Sequence, residues 1–420
     1  MSVLITEVKI IHPGSTHNGK KKNILIKNGK IDYIGSDRPN AKTIIEGAGC
    51  LLSAGWFDLR ANFCDPGLEH KEDIESGSRA AMAGGFTEVA ILPNTQPVIQ
   101  SKNDVRYVSR LNTNSLVQIR PLAAITKGCA GEELTEMLDM HAAGAAAFTD
   151  GTSPIWNTDI LLKSLLYVQK FDGLIIDQPQ DKWLSQFGTM NEGVTSTLLG
   201  LKGIPNLAED IAVSRDLDVL TYSGGRLHLA NVSTKGAVEL IRKAKKSGLD
   251  VTCDVAAYHL IFTEDEVGDF ESIYKVNPPL RSEKDVKALL KGLKDGTIDA
   301  IVSSHEPQDI ESKKLEFDNA EFGMSSIQTV LNCLNELTDE ISLEELIPKL
   351  TLAPRKILKL DPVEISEGAI ANLTLIDPKA EWEYNATTNH SKSESSPFYG
   401  KKMKGRVIAV FNNGQQWLAN

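Results

Sequence analysis

Arg60 and Asn62 stand two residues apart just beyond a short apolar run, CLLSAGWF, in the stretch Asp58-Leu-Arg60-Ala-Asn62. The run reads as a buried strand that ends in a site loop. Side chains at i and i+2 of a strand leave on one face, so these two should project together from the strand end. Two histidines at that spacing would place two imidazoles on one metal ion. Arginine has no lone pair to give and stays protonated, and the asparagine amide oxygen is a weak ligand for zinc. The pair is therefore predicted to hold no metal, and Arg60 puts a fixed positive charge where a dication would have to sit. Cys64 reads as a space-filling residue rather than a nucleophile, because no histidine is obviously placed to activate it.

The chain continues through Cys64-Asp65-Pro66-Gly67, Glu69-His70-Lys71-Glu72, Ala80-Ala-Met-Ala-Gly84-Gly85-Phe86-Thr87 and Leu92-Pro93-Asn94-Thr95. This succession resembles the bacterial long-chain dihydroorotases of the amidohydrolase superfamily. Their pattern runs D-x-H-x-H-x-R-[DE]-P-G, then A-A-A-G-G-F-T, then M-P-N-T. Further stretches agree with the family in order: Met190-Asn-Glu-Gly193, Gly203-Ile-Pro205, Glu209-Asp, Val232-Ser-Thr-Lys235, Asn277-Pro-Pro-Leu-Arg281, Glu321-Phe322-Gly323 and Gly405-Arg406-Val407. Glycines, prolines and the glutamate-rich helix are kept. Both histidines, and the arginine that would grip a substrate carboxylate, are replaced.

The resemblance assigns a role to each strand end. Phe148-Thr149-Asp150-Gly151 keeps an aspartate where the family bridges its metals. Asp177-Gln178 stands where the family has a histidine. Asn231 takes a ligand place within H-x-x-H-V-S-T, with His228 further back on the strand. Ser303-Ser304-His305-Glu-Pro307-Gln308 replaces A-T-D-H-A-P-H, so Ser304 stands for the general-base aspartate and Gln308 for a substrate-contacting histidine. The set implies no catalytic residue, no metal and no cofactor. A cation without imidazoles is poorly held, and a serine hydroxyl has too high a pKa to move protons as a carboxylate does. Asn94 and Asn277 match positions that bind substrate in the family, and Phe322-Gly323 matches a loop that closes on it. A plainer reading has Asn94 capping a turn in Pro-Asn-Thr and Asn277 leading into Pro278-Pro279. Asp150 and Asp177 admit two readings as well: an ion pair with Arg60, or an oxygen site for a magnesium-type ion shared with Asn231. His70 and His305 read as structural.

Elements must hold these positions. Strands are predicted over 86–92, 116–120, 145–149, 173–177, 226–232, 251–255 and 299–304, besides the one before Asp58. Amphipathic helices alternate with them, for example at 205–222, 234–247 and 283–294. Eight βα units argue for an α/β fold, a (β/α)8 TIM-type barrel over 52–358. The ends, 1–51 and 359–420, are strand-only, with Asn28-Gly29 as a hairpin signal. The resemblance implies that they join into one small β-sandwich-like domain. Residues 387–396, TTNHSKSESS, are apolar-poor and read as a flexible loop.

Lys+Arg total 45 against 56 Asp+Glu, a net charge of −11, which argues against nucleic acid and anionic membrane as partners. No apolar run nears the roughly 20 residues of a spanning helix, and the N-terminus is a strand pattern without a signal-peptide cleavage site. Five scattered cysteines suggest reduced thiols and a cytoplasmic home. These residues point to a dihydroorotase-like protein of pyrimidine biosynthesis that has lost its metal ligands and serves as a structural or regulatory partner. The resemblance implies aspartate transcarbamoylase as that partner, since some bacteria pair it with inactive dihydroorotase-like chains. Two alternatives stay open. One is a cyclic amidohydrolase that hydrolyses dihydroorotate to N-carbamoyl-aspartate through a rebuilt site of Asp150, Asp177 and His305. The other is a metabolite-binding module that holds a small pyrimidine precursor with Asn94 and Asn277. Homo-oligomerisation is open.

Overall fold

Short runs rich in Val, Ile, Leu and Phe, apolar on both faces, become the strands of a closed parallel ring, as expected where helices cover the outside. A computed structural model of the chain describes residues 2–111 and 115–419; Met1 and Asn420, the outer limits of the expected terminal domain, lie outside them. Trp56–Ala61 pairs with Phe86–Ile91, and that strand with Gln118–Pro121. Ile175–Asp177, Leu227–Leu229, Val251–Ala256 and Ala300–Val302 continue in the same direction. A bridge from Ala61 to His305 closes the ring, and Phe148 joins its two arcs by bridges to Ala123 and Ile175. The strand expected over 145–149 thus contracts to one residue. Bonds that alternate from side to side still hold the segment: Ala146 N to Pro121 O, Phe148 N to Leu174 O, Thr149 N to Ala123 O and Ile176 N to Phe148 O. The result is a (β/α)8 barrel.

The helices between strands follow their apolar spacing. Lys235–Lys246 buries Ala237, Val238, Ile241 and Ala244, and the Thr234 side chain caps it by accepting from Ala237 N at 3.1 Å. Asn206–Ser223 and Glu283–Lys294 lie near their expected bounds.

Strands from both ends of the chain share one eight-stranded sheet. Leu51–Ala54 runs parallel to Ser2–Ile11 on one side and antiparallel to Leu373–Tyr384 on the other. Asn28 and Gly29 both take positive φ, 51° and 76°, and make the tight turn between Lys21–Lys27 and Lys30–Gly35. This sheet encloses its own core, with Ile5, Ile24, Leu52, Leu373 and Phe411 buried. Thr374 Oγ1 donates to Gly85 O at 2.6 Å and fastens the sheet to the barrel.

Residues 387–396 are not a loose loop. Ser391 Oγ donates to the Glu72 carboxylate, Lys392 Nζ reaches Asp73 at 2.5 Å, Ser393 Oγ donates to Gln308 O at 2.6 Å, and Ser395 O accepts from Ser325 N at 2.7 Å. The segment is polar because it is a strap whose partners are backbone groups and carboxylates on the barrel rim. Among the described residues, no helix is long and apolar enough to cross a membrane.

Candidate functional site

Strand ends one, four, five, six and eight meet at the barrel mouth, and their side chains are almost fully desolvated. Arg60 starts on the first strand and reaches across the ring. Its Nη atoms lie 3.4 Å from Gly151 O beyond strand four, and Nη2 donates to Gln178 Oε1 at the end of strand five. Its direct partners are therefore neutral, with Asp254 and Glu306 acting from further off. Only 3% of Arg60 is exposed, and burial pulls its pKa below the usual arginine value. The expected ion pair of Arg60 with Asp150 or Asp177 is not formed, because both carboxylates are already engaged elsewhere.

Asp150 serves the loop after strand three. It accepts from Ile125 N and Thr126 N, each at 2.9 Å, and from the Thr126 hydroxyl at 2.5 Å. Burial lifts its pKa to about 6 despite those bonds. Asp177 accepts from Ile155 N at 3.0 Å and lies 3.6 Å from Arg215, whose Nη2 holds Asp216 at 2.6 Å. Burial raises both carboxyls, and Asp216 is raised further by facing Asp177, so the two acids disfavour a second negative charge.

Asn62 does not join Arg60. It lies one residue beyond the strand, and its Oδ1 turns back to accept from Cys64 N at 2.9 Å, where Cys64 takes φ 60°. Burial also pushes the Cys64 thiol up to about 12, which keeps it from acting as a thiolate. Asn231 Nδ2 donates to Ser304 Oγ at 2.7 Å, and the Ser304 side chain also bonds Tyr258. Asn231 Oδ1, by contrast, is buried with no hydrogen-bond partner among the described residues. Of the oxygen site expected from Asp150, Asp177 and Asn231, Asp150 has both carboxylate oxygens committed to Ile125 and Thr126, and Asp177 Oδ2 faces the Arg215 guanidinium at 3.6 Å rather than a cation.

His228 points into the barrel, its Nε2 2.8 Å from Asp254 and its Nδ1 2.8 Å from the Thr252 hydroxyl. Asp254 also accepts from Asn231 N at 2.6 Å. Sequence reasoning missed Asp254, although a lone carboxylate in the apolar strand VTCDVA was a visible signal. His305 Nδ1 accepts from Ser326 N at 3.1 Å, and its Nε2 faces Glu72 at 3.4 Å, away from Asp150 and Asp177. Burial alone would raise Glu72, but His305, Ser391 and Ser76 outweigh it and hold the carboxyl below its usual range. His70 is exposed, 4.0 Å from Asp309.

Asn94 and Asn277 sit on opposite sides of this network. Asn94 clasps the loop past strand four: its Nδ2 donates to Asp150 O and its Oδ1 accepts from Thr152 N, both at 3.0 Å. Asn277 exchanges two amide bonds with Gln180, at 3.1 and 3.2 Å. The two do not touch, but Gln178 links their surroundings, donating to Asn277 O at 3.4 Å while accepting from Arg60. The Phe322-Gly323 loop is fastened down. Lys313 Nζ donates to Lys275 O, Glu321 O and Gly323 O at 3.0–3.2 Å, and Gln308 Nε2 donates to Phe322 O at 2.7 Å. A Cβ on Gly323, at φ 131°, would come within 2.4 Å of Glu306 O, so only glycine fits this approach.

The donor set decides what the mouth can hold. Zinc sites in hydrolases use three imidazole or carboxylate ligands and leave one open position. Among the described residues, no three His, Cys, Asp or Glu side chains gather to hold an ion. Around the Arg60 guanidinium, the Gln178 and Asn231 amides and the Ser304 hydroxyl are weak ligands for zinc.

Residues 49–237 match a family model described as dihydro-orotase-like, and residues 200–416 match the amidohydrolase family. A dihydroorotase of Citrifermentans bemidjiense is 40% identical over 420 residues and covers 99% of both chains. One of Geobacter metallireducens is 39% identical over the same shares. Among solved structures, the L-hydantoinase (dihydropyrimidinase) of Arthrobacter aurescens matches with a TM-score of 0.84 at 23% identity, covering 99% of this chain and 95% of that one. The dihydropyrimidinase of Brevibacillus agri gives 0.83 at 20% identity, covering 100% and 95%. These two likenesses speak for the fold.

Proposed function

The chain belongs to the dihydroorotase family of the amidohydrolases, and within it we propose a member that keeps the frame and has given up the hydrolytic chemistry. The observation that carries this reading is the arginine at the centre of the mouth. Arg60 is bonded to Gly151 and Gln178 in a desolvated setting, on the strand end where the family pattern places its first histidines. Hydrolysis of a cyclic amide needs an activated water and a group that passes its proton to the leaving nitrogen. Ser304, bonded by Asn231 and Tyr258, offers neither at neutral pH. A rebuilt acid–base site from Asp150, Asp177 and His305 is disfavoured by geometry, because the three engage different partners.

We extend the proposal to a structural or regulatory role beside aspartate transcarbamoylase. In support, Trp183, Phe187, Val194 and Leu198 are all more than 60% exposed within a stretch of the loop after strand five. Contiguous exposed apolar patches mark interaction surfaces, and these four side chains are the candidates for one here. A second reading, a metabolite-binding module, draws on Asn94 and Asn277. These two are only part-buried, unlike Arg60, Asn231 and Ser304, which favours them as contacts for an incoming pyrimidine precursor.

Metal analysis and turnover on chelator-free protein test the central claim. Zinc well below one per chain and no hydrolysis of dihydroorotate are expected. Stoichiometric zinc with turnover near 1 per second or faster would make the rebuilt-site enzyme the better reading. Co-purification with aspartate transcarbamoylase from the native host tests the partner. Calorimetry with dihydroorotate and N-carbamoyl-aspartate tests the binding module.

A further inference from the structure

Outside the barrel mouth, a recess of about 620 Å³ opens between residues 271–274, the helix Ile310–Lys313 and the end of the strap. Its size suits a small organic ligand. Tyr274, Ile310 and Tyr399 supply apolar and aromatic wall. Ser395 and Ser396 also line it, 9% and 1% exposed, and the hydroxyl of each is buried without a hydrogen-bond partner. Two adjacent buried hydroxyls left unsatisfied are costly, and a ligand that accepts from them removes the cost. Lys314 and Lys401 stand exposed among the lining residues. Of the carboxylates there, Glu394 is engaged by the Tyr399 hydroxyl at 2.7 Å, while Glu271 is exposed.

Donor hydroxyls beside two lysines, against aromatic wall, define a chemistry. We propose that this recess binds a small organic phosphate, whose ring packs on Tyr274 and Tyr399 and whose phosphate oxygens accept from Ser395, Ser396, Lys314 and Lys401. Phosphate suits the set because it offers several acceptor oxygens at once, and bonds to an ionised acceptor are the stronger kind. The site is separate from the mouth and independent of whether the barrel turns over a substrate. It is coupled to the rim all the same, since Ser395 O is held by Ser325 N at 2.7 Å.

Calorimetric titration of the full chain with phenyl phosphate tests the proposal, with phenol and inorganic phosphate as controls. One saturable site with a Kd of about 1 mM or tighter is expected for phenyl phosphate, and weaker binding for each half alone. Ser396→Ala, and separately the pair Lys314→Gln and Lys401→Gln, should each weaken it about tenfold, with melting temperatures reporting an intact fold. If Ser396→Ala does not fold, the lysine pair decides. No saturation by about 10 mM, equal affinity in the lysine variant, or inorganic phosphate binding as tightly as phenyl phosphate would each overturn the proposal.

Discussion

Two buried guanidinium groups, Arg60 at the barrel mouth and Arg281 behind strands five to seven, face opposite circumstances. Arg281 is 2% exposed and fully engaged. It donates to Ser233 Oγ at 3.0 Å, Asn191 Oδ1 at 2.9 Å and Ile204 O at 2.8 Å, and lies 3.6 Å from Glu209. Glu209 in turn accepts from Ser233 N at 2.8 Å and Thr234 N at 3.0 Å. Five stretches that match the family in order, around 191, 204, 209, 233 and 281, thus converge on one charged brace. Arg60 is as deeply buried but bonds only neutral groups. The difference separates a charge-paired brace, drawn from five stretches of the chain, from a mouth in which an equally buried arginine bonds neutral groups.

The sharpest way to break this comparison is to cut the brace. Glu209→Ala leaves Arg281 as a buried charge without its counter-ion and should cost about 3–5 kcal/mol in urea unfolding. Next comes the acid beneath the mouth. Asp58 accepts from Ser303 N at 3.0 Å, yet burial lifts its pKa to about 7. A carboxyl raised in the folded state binds its proton more tightly there than in the unfolded chain. Its contribution to stability therefore falls as pH climbs from about 4 to 7. Asp58→Asn should remove that slope, gaining about 2–3 kcal/mol relative to the parent between pH 5 and 8, read from urea midpoints at the two pH values. Parallel slopes would show that Asp58 is ionised throughout.

Arg60→Met should cost only about 1 kcal/mol or less, since an apolar side chain of similar length replaces a charge that lacks a direct counter-ion. A loss matching that of Glu209→Ala would erase the distinction between the two arginines. The smallest effect is expected from restoring chemistry piecemeal. The double variant Arg60→His, Asn62→His should gain neither stoichiometric zinc nor dihydroorotate turnover, because Asn231 and Ser304 still lack an imidazole and a carboxylate. Measurable turnover in that variant would mean that the mouth is nearer to an active site than its bonding suggests.

The strand ends were legible in the sequence because apolar runs, glycines and the motif order fix which residues reach the mouth. The bonds made there were not. Arg60 was expected to meet a carboxylate, since sequence gives the strand on which a side chain sits but not its reach across the ring. Asp150 was claimed first by the loop amides of Ile125 and Thr126, whose need for acceptors appears only when that loop is folded. Asn62 turned back on its own chain because Cys64 adopts a left-handed backbone, which no neighbouring residue type announces. The strap over 387–396 was hidden for another reason. Its composition is that of a solvated loop, and its partner Glu72 lies on the far side of the barrel sequence.

The shared sheet carries a consequence for how the chain is made. Leu51–Ala54 leaves the ribosome with one edge paired to Ser2–Ile11 and the other awaiting Leu373–Tyr384. At the usual pace of synthesis, the roughly 300 intervening residues take about 15–60 s. For that time a short edge made of Leu51, Leu52, Ser53 and Ala54 has open backbone donors and acceptors, a template for pairing with another nascent chain. A chain cut short before Leu373 therefore has a barrel with all its strands and a permanently unsealed edge, and such a product is expected to be lost to aggregation rather than to persist as a smaller soluble form.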